Sequence, residues 1–282
     1  MERHLQPRSL IAILCPRIRQ PTERSLDCNG TLDGMISTRK SACVLTLLAA
    51  TACSTTTGRL STPAGPRVAP RHLPNEVRWF RTSAEYRALT RQAYAVATAR
   101  IPELSRGLAS QSWAVILDAD ETVIDNSEYQ RRRFVLDSGY TEASWAAWVN
   151  ERAAPPVPGA PEFTRAVHAA GGRIAIVTNR ADSLCAATRT NLQTAGIEAD
   201  LVLCQTPGAG DKNPRFQKVQ NGTAVAGIPA LTVVAWVGDN ILDFPGMSQA
   251  SRNDPSALAT FGTRFFILPN PMYGSWTDNP DQ

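Results

Sequence analysis

The sequence predicts an α/β domain built on a doubly wound parallel sheet, and three observations carry that prediction. Five short apolar runs, at residues 113–120, 173–180, 200–205, 231–240 and 264–271, have the length of buried strands. Stretches of helical character separate them, and strands that alternate with helices form parallel sheets through crossover connections. Three of the runs end in polar side chains, on the side where such sheets bind their ligands. The 282 residues, 43% of them hydrophobic, suffice for one sizeable domain with a small accessory region. No internal repeat or low-complexity segment interrupts the alternation.

Taken in order, the first element is helical. Between Asn75 and about Pro102, Ser83 is placed to cap a helix whose apolar positions Tyr86, Leu89, Ala93, Tyr94 and Ala97 recur at three- and four-residue intervals. WAVILDAD (113–120) follows as a buried strand with acids at its carboxyl end. Residues 125–160 then break the alternation, and they are too many for a plain strand-to-helix loop. They read as a small helical cap, with Tyr129, Trp145 and Trp148 as candidates for its inner lining. A helix at 161–170 and the turn Gly171-Gly172 lead into RIAIVTNR (173–180). A helical stretch at 182–195 and Gly196 lead into DLVLCQ (200–205). LTVVAWVGDN (231–240) and RFFILPNP (264–271) complete the set.

The N-terminal region has a different character. Residues 35–52 read as a signal peptide: Arg39 and Lys40 give a positive end, Ala42 to Ala50 an apolar core, and small residues precede Cys53. The apolar core is far shorter than the ~18–20 residues that span a bilayer, so a transmembrane helix is the weaker reading. Ala50-Thr51-Ala52-Cys53 resembles a bacterial lipobox, which predicts lipidation of Cys53; ordinary cleavage after Ala52 is the alternative. Residues 1–34 carry no helix or strand period and read as a mis-assigned start, with Met35 as the first translated residue. Residues 53–74 form the lipidated cysteine and a tether rich in Ser, Thr, Gly and Pro, ahead of a folded domain at 75–282. The formal charge of +4 belongs mostly to the leader, since 22 Lys and Arg face 21 Asp and Glu from Cys53 onward. Nothing there forms a basic stripe for a nucleic-acid polymer.

The chemistry lies in the polar strand ends. Asp118 and Asp120 are two apart, so in extended geometry both side chains face the same way and reach one substrate. One carboxylate can attack phosphorus while the other, protonated by like-charge crowding, gives its proton to the leaving alcohol. A phosphate dianion is repelled by clustered carboxylates, and a hard cation such as Mg²⁺ removes that difficulty. Asp239 and Asp243 in VGDNILDF supply further oxygen ligands. Thr178, Asn179 and the helix N-terminus expected after Arg180 are placed to face the phosphate, and Lys212 adds a positive charge. Each piece alone is a common cap, turn or solvated charge. Their order, each on the correct side of a predicted strand, is what points to a site.

These segments carry a family resemblance. DADETVIDNSEY, VTNR, DKNPRFQKV, VGDNILDF and FFILPNPMYGSW together resemble the bacterial class C acid phosphatases, outer-membrane lipoproteins of the haloacid dehalogenase (HAD) superfamily, over about residues 76–278. The resemblance implies a HAD-like Rossmannoid sheet, Asp118 as nucleophile, Asp120 as general acid and base, and Thr178 and Lys212 as phosphate ligands. It implies Mg²⁺ held by Asp118, the Asp120 carbonyl, Asp239 and Asp243, and substrates such as nucleoside monophosphates and aryl phosphates. Ala119 stands where a larger apolar residue is expected, but it points away from the site. Tyr129, Trp145, Trp148 and Tyr273 are candidates to stack on an aromatic leaving group, packing of the cap being the alternative for each. A dehalogenase needs only the first aspartate, and a phosphomutase fits poorly with export. A non-catalytic lipoprotein scaffold on the same fold is the remaining alternative, and Asp118, Asp120, Lys212 and Asp239 are all present against it. Processing leaves Cys53, Cys185 and Cys204; with Cys53 lipidated in an oxidising compartment, Cys185 and Cys204 are expected to pair, two buried thiols being the alternative.

Overall fold

The computed structural model describes residues 72–281; the leader, Cys53 and nearly all of the tether lie outside the described residues. The first helix, α1 (Asn75–Thr82), is separated by Ser83 from α2 (Ala84–Leu104). Ser83 is extended and its side chain accepts from the Tyr86 N–H, a cap worth about 1 kcal/mol. Ser83 caps α2 as expected, and the helical character before it forms the separate α1. The buried stripe of α2 is Tyr86, Thr90, Tyr94, Ala97 and Ile101, whereas Leu89 is exposed. Among the described residues no helix is long and apolar enough to cross a membrane.

Five parallel strands follow: β1 (Trp113–Leu117), β2 (Arg173–Ala181), β3 (Leu201–Gln205), β4 (Thr232–Gly238) and β5 (Phe265–Ile267). They lie in the order β3-β2-β1-β4-β5. Alternation along each strand sends side chains into two cores. Val115, Leu117, Ile174 and Ile176 pack with α2, with α5 (Ala160–Ala169) and with α6 (Cys185–Thr194). Ala114, Ile116, Ala175 and Val177 pack on the other face with Phe216 and Val219 of α7 (Asn213–Gln220). This is the doubly wound arrangement. The chain leaves β1 toward β2 and β3, then returns to add β4 and β5 on the opposite side, so the loops after β1 and β4 diverge and open a crevice.

β1, β4 and β5 are each shorter than their apolar runs by three residues or more. β1 stops at Leu117, although the Asp118 N–H still donates to Val237 O at 3.0 Å. β5 stops at Ile267; Leu268 makes one more bond, to Gly238 O at 2.8 Å, and Pro269 has no N–H to continue the ladder. Before β5 lies only a four-residue helix, α8 (Pro255–Leu258).

The long segment after β1 forms α3 (Ser127–Val135) and α4 (Glu142–Glu151). Its two ends are tied together: Asp125 N–H donates to Pro155 O at 2.8 Å and Val157 N–H to Val123 O at 3.0 Å. The insertion therefore leaves and rejoins the chain at nearly one point. Thr141 and Ser144 close a capping box on α4, Arg132 reaches Glu151 at 2.7 Å, and the Arg132 guanidinium lies 5.0 Å from the Trp148 ring centre. A disulfide joins Cys185 to Cys204, fastening the start of α6 to β3. The chain-entropy model gives about 3 kcal/mol for closing a loop of that size.

Candidate active site

The first acid arrives with the central strand. Beyond Asp118 the backbone folds into a tight turn in which Val123 and Ile124 N–H both donate to Ala119 O at 3.0 Å. Glu121 takes a left-handed conformation (φ 52°) to close it, and Ala119 is fully buried on the core side. Non-glycine residues held in that region mark places where the surroundings over-determine the backbone, often at functional sites. The strand ends before Asp118, so the extended geometry expected for the pair does not hold there, yet Asp118 and Asp120 both line a cavity of about 160 Å³. From β4 and the turn after it come Asp239, Asn240 and Asp243, and the loop before α7 adds Lys212. Asn179 and Tyr273 complete the wall that concerns the chemistry.

Carboxylate oxygens of Asp118, Asp239 and Asp243 lie within 4.8 Å of one another, close enough for one cation to touch all three. Lys212, 5% exposed, donates to Asp118 Oδ1 and to Asp243 Oδ1, the latter at 2.6 Å. Burial alone would depress its ammonium, but Asp118 and Asp243 outweigh burial and hold it above its ordinary value. Burial pushes the Asp118 carboxyl up to about 7 although Lys212 pulls it down, with Asp243 and Asp120 adding to the rise. Asp239 is likewise pushed up by burial and by Asp243 and Asp118, against hydrogen bonding from Asn270. One ammonium thus faces three carboxylates. A nucleophile must be ionised, so the donor set calls for more positive charge, and its all-oxygen composition fits a hard divalent cation.

Asp120 has different company. Its carboxylate is bound by Arg180, with Nη2 at 2.7 Å, and by Asn126 Nδ2 at 2.8 Å. Asp239 is held by Thr122, which donates to Oδ1 at 3.0 Å, and by Asn270, which donates to Oδ2 at 2.8 Å. The Asp243 carboxylate accepts from the Asn240 N–H at 2.9 Å. Burial first, then Asp120, Asp239 and Asp125, raise the Glu121 carboxyl well above the usual range.

Several expected site residues are placed differently. β2 runs on through Ala181, so no helix starts directly after Arg180; a short 3-10 turn at Asp182–Leu184 intervenes before α6. Thr178 is fully buried and its hydroxyl accepts from the Arg180 N–H at 3.1 Å, whereas Asn179 reaches the cavity. Tyr129 and Trp148 sit in the core of the cap, their polar atoms bound to Ser144 (2.9 Å) and Asn126 (2.8 Å), and neither lines the acidic cavity. Trp145 packs against Tyr129 and lies 5.4 Å from the Arg180 guanidinium, one residue removed from Asp120. Tyr273 is the aromatic candidate in the cavity wall. Two residues went unnamed at the sequence level. Arg215 donates to Thr178 O and to Asn179 Oδ1 (2.5 Å) and so pins that strand end. Asn126 joins Asp120, Glu121, Trp148 and Arg180. A larger groove of about 530 Å³ runs beside α2 and β5, but of the site residues only Asp239 and Asn270 touch it.

Comparison with known proteins agrees with this geometry. The family model for the HAD superfamily, subfamily IIIB (Acid phosphatase), matches residues 42–276. The class C acid phosphatase from Bacillus anthracis with tungstate bound is 30% identical, with a TM-score of 0.63, covering 71% of this chain and 84% of that one. A second structure of the Bacillus anthracis class C acid phosphatase is 31% identical, with the same TM-score and coverage. The matched range takes in the acidic strand ends and Lys212, and the chain belongs to subfamily IIIB of the HAD superfamily, the acid phosphatases, as a phosphomonoesterase.

Proposed function

We propose that the enzyme hydrolyses small phosphomonoesters, nucleoside monophosphates and aryl phosphates among them, through a covalent phosphoryl group on Asp118. The observation that carries this is the pairing of Asp118 with a second acid, Asp120, on one wall of a cavity where Lys212 and three carboxylates converge. The Bacillus anthracis enzyme binds tungstate, a tetrahedral oxyanion like phosphate, which supports an oxyanion ligand for this enzyme too.

In the first step a carboxylate oxygen of Asp118 attacks phosphorus in line with the ester oxygen. The P–O bond to the leaving group breaks, and Asp120 gives that oxygen its proton. In the second step water attacks the same phosphorus, Asp120 takes a proton from it, and the bond to Asp118 breaks to release phosphate. Lys212 neutralises charge on the attacking acid and the transferred group. Asp118, Asp239 and Asp243, with the Asp120 carbonyl, are the residues to hold Mg²⁺, which supplies Lewis-acid charge neutralisation to the phosphoryl oxygens when bound.

The test pairs a substitution with metal removal. Asp118→Asn should lower steady-state hydrolysis by at least ~10³-fold with folding intact. Chelation of divalent cations should silence the wild-type enzyme, and Mg²⁺ should restore it. Ordinary turnover by Asp118→Asn, or full activity after exhaustive chelation, overturns the assignment.

A further inference from the structure

Asn126 is fully buried at the junction of the site and the cap, and its side-chain amide uses all of its hydrogen-bonding capacity. Its Oδ1 accepts from Trp148 Nε1 at 2.8 Å and from Arg180 Nη2 at 3.1 Å. Its Nδ2 donates to Asp120 Oδ1 at 2.8 Å and to Glu121 Oε2 at 3.4 Å. Indole and guanidinium nitrogens only donate, so the amide cannot turn over: its oxygen must face them and its NH₂ must face Asp120. Glu121 also fixes where the side chain starts, because its Oε1 accepts the Asn126 backbone N–H at 2.8 Å.

The consequence falls on Asp120. An arginine fork ordinarily engages both oxygens of a carboxylate. Here Arg180 Nε (2.9 Å) and Nη2 (2.7 Å) both fall on Oδ1, and Asn126 adds a third donor to the same atom. Oδ1 is filled, and every hydrogen bond found for this carboxylate among the described residues is on that oxygen.

We propose that Asn126 is a positioning residue for Asp120: locked by Trp148 from the cap and by Arg180 from β2, it holds the carboxyl by Oδ1 and leaves Oδ2 to exchange the proton with the substrate. The proposal rests on the reading of Asp120 as the general acid. It gives the cap a stake in the proton transfer, since Trp148 belongs to α4, whereas Arg180, Glu121 and Asp120 belong to the sheet and the turn beyond β1.

Leaving-group dependence separates positioning from plain structural support. An alkyl ester such as glycerol phosphate needs a proton on its departing oxygen, and 2,4-dinitrophenyl phosphate departs without one. The value of kcat/KM reports the bond-breaking step for both. Asp120→Asn should lose far more on the alkyl ester than on the dinitrophenyl ester. Asn126→Ala should show the same split, roughly 10–100-fold greater loss on the alkyl ester, within the range that general acids contribute. Trp148→Phe keeps an aromatic ring and deletes the N–H; it should show a smaller split in the same direction, and it serves if Asn126→Ala does not fold. If Asp120→Asn is split while Asn126→Ala and Trp148→Phe lower both esters by one factor, the positioning role is overturned and the general acid stands. If Asp120→Asn itself lowers both esters alike, the general acid falls and the positioning role falls with it.

Discussion

The side chains around the crevice differ in what they have left to offer a substrate. Tyr129 and Trp148 spend their polar atoms inside the cap, and Arg180 is committed to Asp120 and Asn126. Tyr273 is half-buried in the wall of the cavity that Asp118 and Lys212 also line, within reach of a flat leaving group held there. An aromatic face stacked on a base contributes roughly 1–3 kcal/mol. Aryl phosphates and nucleoside monophosphates should therefore exceed glycerol phosphate in kcat/KM, and Tyr273→Ala should narrow that gap about tenfold, mostly through KM. An unchanged ratio in the variant refutes a stacking role. At this scale the acids were legible because each lies at or just beyond the end of an apolar run: Asp118, Asp120, Asp239 and Asp243 announce themselves by position. Arg215 and Asn126 did not, because partners that fix their roles are remote. Arg215 holds a strand end 36 and 37 positions earlier, and Asn126 meets Trp148 and Arg180 at separations of 22 and 54. The one local hint for Arg215 was its place three residues after Lys212, a helical interval that puts the two on one face.

Elements carry the next layer of constraint, most visibly where β4 gives way to the acidic turn. The Asn240 side chain accepts from the Leu242 N–H at 3.1 Å, and the Asp243 N–H donates to Asn240 O at 2.9 Å, which wraps the chain into a single 3-10 turn. That wrap presses Asp243 against the last residue of the strand, and a Cβ at Gly238 would collide with the Asp243 side chain. Gly238 is thus required by close approach. Gly238→Ala should push Asp243 out of the three-acid cluster and raise the Mg²⁺ concentration for half-maximal activity by about 10–100-fold, as for other changes that disturb a ligand's support. A Mg²⁺ titration of activity checks it, and an unshifted midpoint would show that Asp243 is not held by this contact. The same local logic explains which elements could be read from sequence. Apolar strands bounded by Gly and charged residues stood out, and Ser83 marked a helix start. The phase of α2 was readable from Tyr86, Tyr94 and Ala97, all buried, but not at its edge, where Thr90 turns inward and Leu89, at 43% exposure, turns out. The length of β5 depends on where β4 stops offering partners, which its own sequence does not record.

The whole molecule gathers its acids where the sheet changes direction, beside an insertion whose two ends are tied together, and the acids and Lys212 that line the cavity all lie after residue 113. For residues 1–74 we propose export and anchoring. An export signal is read as a positive end followed by an apolar core, which Arg39, Lys40 and the run from Ala42 to Ala50 supply when translation begins at Met35. The Cys185–Cys204 disulfide supports the same reading, since such bonds persist in oxidising compartments. Cys53, at the end of the lipobox-like Ala50-Thr51-Ala52, is the acceptor for acyl chains, each buried CH₂ contributing about 0.8 kcal/mol of membrane affinity. Ser54 carries no acidic signal for retention at the inner membrane, which favours the outer membrane, facing the periplasm. Wild-type enzyme should accordingly fractionate with membranes, and Cys53→Ser should release it into the soluble periplasmic or secreted fraction with its specific activity unchanged, because Cys53 is remote in sequence from every residue of the site. Membrane fractionation of both forms, with mass analysis of the mature N-terminus, decides the matter: a wild-type enzyme that is soluble after detergent-free lysis, or a mature chain that retains peptides from residues 1–34, overturns the anchoring.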